Sequence, residues 1–187
     1  MVRRFFYDTE FIEYPGSIDL ISIGVVSEGG EPFYACNLDA DLRKANDWVR
    51  DNVIMKLPVK PIPSIAGKSD YRGHWMHKED IAKRLLEFLK PSEDDPVELW
   101  GYYSAYDHVV LCWLFGAMID LPAGMPMFTK DLMQLKEHVG CERLPEQAEG
   151  EHDALADARW NRQTFLFLRE YARENQFRIE GVSLGEG

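Results

Sequence analysis

Three acidic clusters spread along the chain carry residue types suited to holding a divalent cation: Asp8-Thr9-Glu10, Asp107, and the run His152-Asp153-Ala154-Leu155-Ala156-Asp157. The first sits in the apolar, aromatic run Arg3 to Glu10, which reads as a buried strand. Alternate residues of a strand share a face, so Asp8 and Glu10 project together. Two carboxylates held side by side repel unless a proton or a cation lies between them, and hard oxygen ligands of this kind suit Mg²⁺ or Mn²⁺.

The third cluster adds a carboxylate and a base. Asp153 is a good N-cap for the apolar-patterned run Ala154 to Tyr171, which puts Asp157 near the first turn of a helix with small alanines around it. Five helical residues turn through roughly 500°, about 140° net, so two groups both inside the helix would point apart. His152 lies just before the helix and escapes that constraint. An imidazole, which ordinarily titrates near neutral pH, suits a general base that takes a proton from water. Asp107 falls where the strand 97–102 gives way to the helix 106–118, the kind of junction at which α/β sheets place their ligands.

The elements that must position these groups follow from hydrophobic period and turn residues. After the first strand, Ile18 to Ser27 reads as a second, Glu28-Gly29-Gly30-Glu31 as a tight turn and Pro32 to Leu38 as a third, an antiparallel opening meander. A helix is expected over Asp41 to Asp51, then an irregular stretch from Leu57 to His77 rich in Pro, Gly, Ser and Lys. Lys78 to Lys90 regains helical period and Pro91 ends it. A brief strand around Met127 precedes a helix from Thr129 to Val139, and Asn175 to Gly187 reads as a loosely ordered tail. The order βββ-α-α-β-α-β-α-α predicts one α/β domain over 1–187, with a mixed sheet and helices on both sides.

Taken together, Asp8, Glu10, Asp107, Asp157 and His152 resemble the DEDD superfamily of 3′–5′ exonucleases, in the subgroup whose third motif reads H-x-A-x-x-D. The stretches Tyr7 to Glu13, Leu20 to Val26, Ala105 to Val109, Phe128 to Leu135 and His152 to Arg159 are further similar to the actinobacterial polyadenylate-specific 3′-exoribonucleases, relatives of ribonuclease T. The resemblance implies the ribonuclease H-like exonuclease fold. It also implies hydrolysis of the last phosphodiester of single-stranded RNA at its 3′ end, with adenylate tails as substrate and nucleoside 5′-monophosphates as products. Two divalent cations, Mg²⁺ or Mn²⁺, would be held by Asp8, Glu10 and Asp157 and by Asp8 with Asp107 nearby, and His152 would serve as general base. Ribonuclease T is a homodimer in which basic residues of one subunit face the other's active site, so a homodimer is expected. A DNA-directed proofreading exonuclease would use the same motifs, since they do not contact the 2′-hydroxyl. A non-enzymatic nucleic-acid-binding module of this fold is disfavoured because all five residues are intact. Phe11 directly follows the carboxylate pair and would support a base by stacking only if the strand ends or twists there; otherwise it packs in the core.

Composition sets the outer bounds. At 187 residues the chain is the size of one domain, and its three cysteines are odd in number and lack zinc spacing. Without a signal-like start or a long apolar run, a cytoplasmic protein with no membrane partner is expected. The net charge of −11 argues against general nucleic-acid binding. Its distribution softens that: residues 43–84 hold ten Lys or Arg against five acids, a local +5, leaving −16 elsewhere. Trp75 in this stretch reads as the least core-like tryptophan, and His74 and His77 as surface residues.

Overall fold

The computed structural model describes residues 3–59, 73–147 and 150–175. Its centre is a mixed six-stranded sheet in the order β4-β3-β2-β1-β5-β6. The strands β1 (Arg3–Tyr14), β2 (Ser17–Ser27) and β3 (Pro32–Asn37) form the expected antiparallel meander, while β5 (Val97–Gly101) runs parallel to β1 and β6 (Lys130–Asp131) parallel to β5. The two-residue β4 (Trp75–Met76) lies parallel against β3.

Alternation along β1 explains why both faces are covered. Phe5 and Tyr7 enter a core shared with α2 (Lys78–Leu89) and α3 (Ala105–Cys112), whereas Phe6 joins Trp100 under α4 (Leu132–His138) and α5 (Ala154–Glu174). Helices therefore flank both sides of the sheet, as the element order predicts. A third cluster, Ile12 and Ile21 with Ala45 and Val53, packs the segment of α1 (Asp47–Asn52) beneath the far end of β1 and β2.

Several boundaries differ from the sequence reading, each for a local reason. The first strand runs four residues past Glu10, because Ile12 has a buried seat in that third cluster and β2 still offers a partner. The helix expected over Asp41 to Asp51 is split into a 3₁₀ turn at Leu42–Lys44 and α1, since Asn46 caps the latter by accepting from Val49 N. The helix expected to reach Met118 stops at Cys112. The brief strand lies at Lys130–Asp131 rather than at Met127, and Asp131 then caps α4. Trp75 is buried, its indole N–H donating to the Pro58 carbonyl at 2.9 Å, so the expectation that it is the least core-like tryptophan fails; Trp48 is far more exposed. The proposed tail beyond Asn175 and most of the basic irregular stretch lie outside the described residues.

Candidate active site

The site forms where β1 outruns β5. The parallel pairing of the two strands ends at Phe6 and Trp100, so the edge of β1 beyond it is open on that side. Asp107, in the first turn of α3, fills the opening: its Oδ1 accepts from Thr9 N at 2.8 Å and from Thr9 Oγ1 at 2.6 Å. The turn leading into α3 is held by Asp131, whose Oδ2 accepts from Ser104 N at 2.9 Å.

The approach of α5 depends on a glycine. Gly24 of β2 pairs with Asp8 of β1, and a Cβ built at Gly24 would lie 2.2 Å from the Ala154 carbonyl oxygen. Only a residue without a side chain lets the first turn of α5 rest on the sheet at this point. Asp153 caps that turn by accepting from Ala156 N at 2.9 Å, and Asn161 Nδ2 donates to the Tyr7 carbonyl at 3.0 Å, pinning the helix to β1 beside Asp8. Asp157 is thereby delivered to the carboxylate pair. One oxygen each from Asp8, Glu10 and Asp157 lie within 4.8 Å of one another, a spacing at which a single cation can be shared.

All five residues singled out in the sequence border one cavity of about 410 Å³, together with Phe11 and Trp48. Asp8, His152 and Asp157 also border a second cavity of about 370 Å³, walled by Tyr102, Gln147 and Trp160. A larger cavity of about 580 Å³, between β3 and α2, contains none of them. His152 stands outside α5 as expected, with a left-handed backbone (φ +61°) and its ring edge-on to Trp48 at 4.8 Å. Phe11 follows a register shift between Glu10 and Phe11; it is half-buried, packs on the core and meets Tyr106 edge-on at 6.0 Å while still lining the cavity. His77 is exposed and paired with Asp39 at 2.7 Å, consistent with a surface role.

Electrostatics mark the carboxylates as a group with too much negative charge. Burial, then the charges of Asp157 and Asp107, push Glu10 up to about 8. Burial, followed by Asp107, Glu10 and Asp157, holds Asp8 well above the usual carboxylate range. Burial raises Asp107 to about 6 against the two Thr9 hydrogen bonds that favour its charged form, and it raises Asp157 against the bond from Gln147 Nε2 at 2.6 Å. Oxygen donors that resist losing their protons when alone, yet converge within bonding reach of one point, fit a divalent cation.

The structure brings the acids and the imidazole expected from the sequence to one cavity, by contacts that, Gly24 apart, the sequence does not announce. Gly24, an isolated glycine inside a strand pattern, carried a readable signal of close backbone approach. Thr9, Gln147 and Asn161 carried none, because their partners are distant in the chain.

Residues 3–168 match the family described as the 3′–5′ exoribonuclease Rv2179c-like domain. The chain belongs to this family. Within it, the chain is 46% identical over 156 residues to the 3′–5′ exoribonucleases Rv2179c and MT2234.1 of two Mycobacterium tuberculosis strains, covering 83% of this chain and 87% of each relative. The Rv2179c-like domain is thus an exonuclease, a phosphodiester hydrolase. Its fold is shared with the Neurospora crassa Pan2 catalytic unit, a protease and nuclease domain, at a TM-score of 0.51 and 13% identity; the match covers 92% of this chain and 28% of that longer one. The ribonuclease H-like exonuclease fold expected from the motifs is the fold of this Rv2179c-like domain.

Proposed function

We propose that this enzyme is a 3′–5′ exoribonuclease that removes nucleoside 5′-monophosphates from single-stranded RNA 3′ ends, adenylate tails among them, with two divalent cations and His152 as general base. The observation that carries the reading is the convergence of Asp8, Glu10 and Asp157 within 4.8 Å, in a cavity that Asp107 and His152 also border. The names of the relatives, both 3′–5′ exoribonucleases, support RNA as the substrate.

Asp8, Glu10 and Asp157 would hold one Mg²⁺ or Mn²⁺, and Asp8 with Asp107 would face the other. When bound, such a pair eases formation of the attacking hydroxide and departure of the 3′ oxygen in an in-line displacement. Thr9, by fixing one Asp107 oxygen with two hydrogen bonds, leaves the other free to turn toward the cavity. His152, at the rim shared by both cavities, takes the proton of the attacking water as its oxygen bonds to phosphorus and the bond to the 3′ oxygen breaks. Phe11, at the cavity wall and backed by the edge contact with Tyr106, offers a face against which the terminal base could stack. A homodimer and a cytoplasmic location complete the proposal; among the described residues no helix is long and apolar enough to cross a membrane.

The test is digestion of 5′-labelled RNA and DNA of the same sequence, with four homopolymer RNA tails compared at one salt concentration. Release of nucleoside 5′-monophosphates from RNA, dependent on Mg²⁺ or Mn²⁺ and fastest on adenylate, is expected. Preference for DNA would move the substrate assignment to a proofreading-type exonuclease.

A further inference from the structure

His152 is gripped by residues far from it in sequence. Trp48, in α1, sets its ring edge-on to the imidazole, with centroids 4.8 Å apart and planes at 78°. Lys56, in the 3₁₀ turn Ile54–Lys56, donates from Nζ to the carbonyl of Glu151 at 2.5 Å, across 95 residues of chain. The two contacts hold adjacent residues, 151 and 152, from one short stretch of chain.

What they hold is a backbone that does not rest there unaided. His152 has φ +61°, a region in which side-chain-bearing residues are uncommon, and such a conformation persists where the surroundings over-determine it. On its C-terminal side the chain is fixed by the Asp153 cap of α5. Around it, Asp153 N donates to the Gly150 carbonyl at 3.1 Å and the His152 backbone N–H donates to the Asp157 carboxylate; from outside this stretch, Lys56 holds the Glu151 carbonyl and Trp48 holds the imidazole ring. Their own support is the cluster in which Ala45 and Val53 pack on Ile12 of β1 and Ile21 of β2. The strand that carries Asp8 and Glu10 is therefore coupled through α1 to the residue that must stand over them.

We infer that Trp48 and Lys56 are positioning residues that set His152 in register with the carboxylates, an inference that rests on His152 acting as general base. The competing role for both is direct contact with RNA, Trp48 stacking on a base and Lys56 meeting a phosphate. The two roles separate cleanly. Contact with substrate is felt in KM and persists without His152, whereas positioning is felt in kcat and vanishes when the imidazole is gone. Displacement of a reacting group by about 1 Å can cost 10²-fold in rate.

Trp48 is 54% exposed and Lys56 is exposed, so truncating either removes little of the core. The experiment is a double-mutant cycle on RNA hydrolysis, with Trp48→Ala and Lys56→Met made in the wild-type and in the His152→Ala background. In the wild type each is expected to lower kcat about tenfold or more with KM changed by less than about threefold. Trp48→Phe and Lys56→Arg should recover most of the loss. In the His152→Ala background neither should lower kcat further. Equal losses in both backgrounds, or losses confined to KM, would overturn the inference, in favour of substrate contact or, for Lys56, of its charge acting on Glu10. A His152→Ala enzyme with wild-type kcat would overturn the general-base reading itself, and this inference with it.

Discussion

Glu10 shows how the site's residues are poised without a cation: burial and its acidic neighbours lift it to about 8, from an ordinary value near 4.5. Between those values the folded state keeps a proton that the unfolded chain has lost. The folded state then binds more protons, and stability falls as pH rises across that window. Asp8 and Asp157, raised in the same direction, add to the slope. Thermal melts of the metal-free protein should therefore show a midpoint that declines from about pH 5 to pH 8, and Mg²⁺ or Mn²⁺ should restore it most at the high end. A flat profile in chelator would mean that the carboxylates are not in conflict. The same repulsion predicts the behaviour of Asp157→Asn. It should abolish hydrolysis while the metal-free variant melts no lower than metal-free wild type, since one of the competing charges is gone. Near-wild-type turnover in the folded variant would remove Asp157 from the site. For His152→Ala, a loss of about 10²–10⁴-fold in kcat with cation binding retained is expected. Loss of the cations on calorimetry would instead make His152 a ligand.

At the scale of elements, the site is the meeting of an overlong strand with two helix starts, and the tightest contact in it is Gly24 against the first turn of α5. A methyl group there would meet backbone atoms of Ala154 and Leu155, which cannot rotate away as a side chain could. Gly24→Ala should cost about 1–3 kcal/mol of stability, in the range for overpacking. It should also lower hydrolysis more than the loss of folded protein accounts for, because α5 must shift and carry Asp157 with it. Denaturant titration alongside specific activity of the folded fraction decides this; unchanged activity would show that α5 can move without disturbing the carboxylates. This contact also shows where legibility stopped. Asp8 and Glu10 were readable because strand alternation is local, and Asp153 and Asp157 because caps and helix turns are local. The end of α3 is not legible, because Tyr106 to Met118 keeps an apolar pattern after the backbone has left the helix at Cys112. The burial of Trp75 is not legible either, because it comes from pairing with Cys36 and a hydrogen bond to Pro58, neither visible in its neighbours. The clamp on Asp107 and the grip on His152 join residues 98 and more than 90 positions apart, beyond any spacing rule.

The whole molecule must bring a polyanion to a chain of net charge −11. The +5 stretch from residue 43 to 84 is the natural counterweight, but several of its charges are locally committed. Arg43 pairs with Asp41, Arg50 with Asp47 and Lys44 with Asp19, while Lys56 is bonded to Glu151. Lys83 and Arg84 of α2 border the 580 Å³ cavity, away from the carboxylates. Within one chain they do not line the active site; in a twofold dimer the same surface of one subunit can face the site of the other. That arrangement belongs to the homodimer proposed above. Mass measured in solution should give twice the chain mass of 21.6 kDa. Neutralising Lys60, Lys68, Arg72, Lys83 and Arg84 together should weaken RNA binding. Each lost phosphate contact should also make log affinity against log salt shallower by about 0.7, the value for single strands. Hydrolysis of a dinucleotide, too short to extend beyond the carboxylate cavity, should fall much less than hydrolysis of a long RNA. A strict monomer would rule out the shared arrangement. An unchanged salt slope in the dimer would make the basic stretch an ordinary solvated surface, and electrostatic attraction would then have to come from the bound cations themselves.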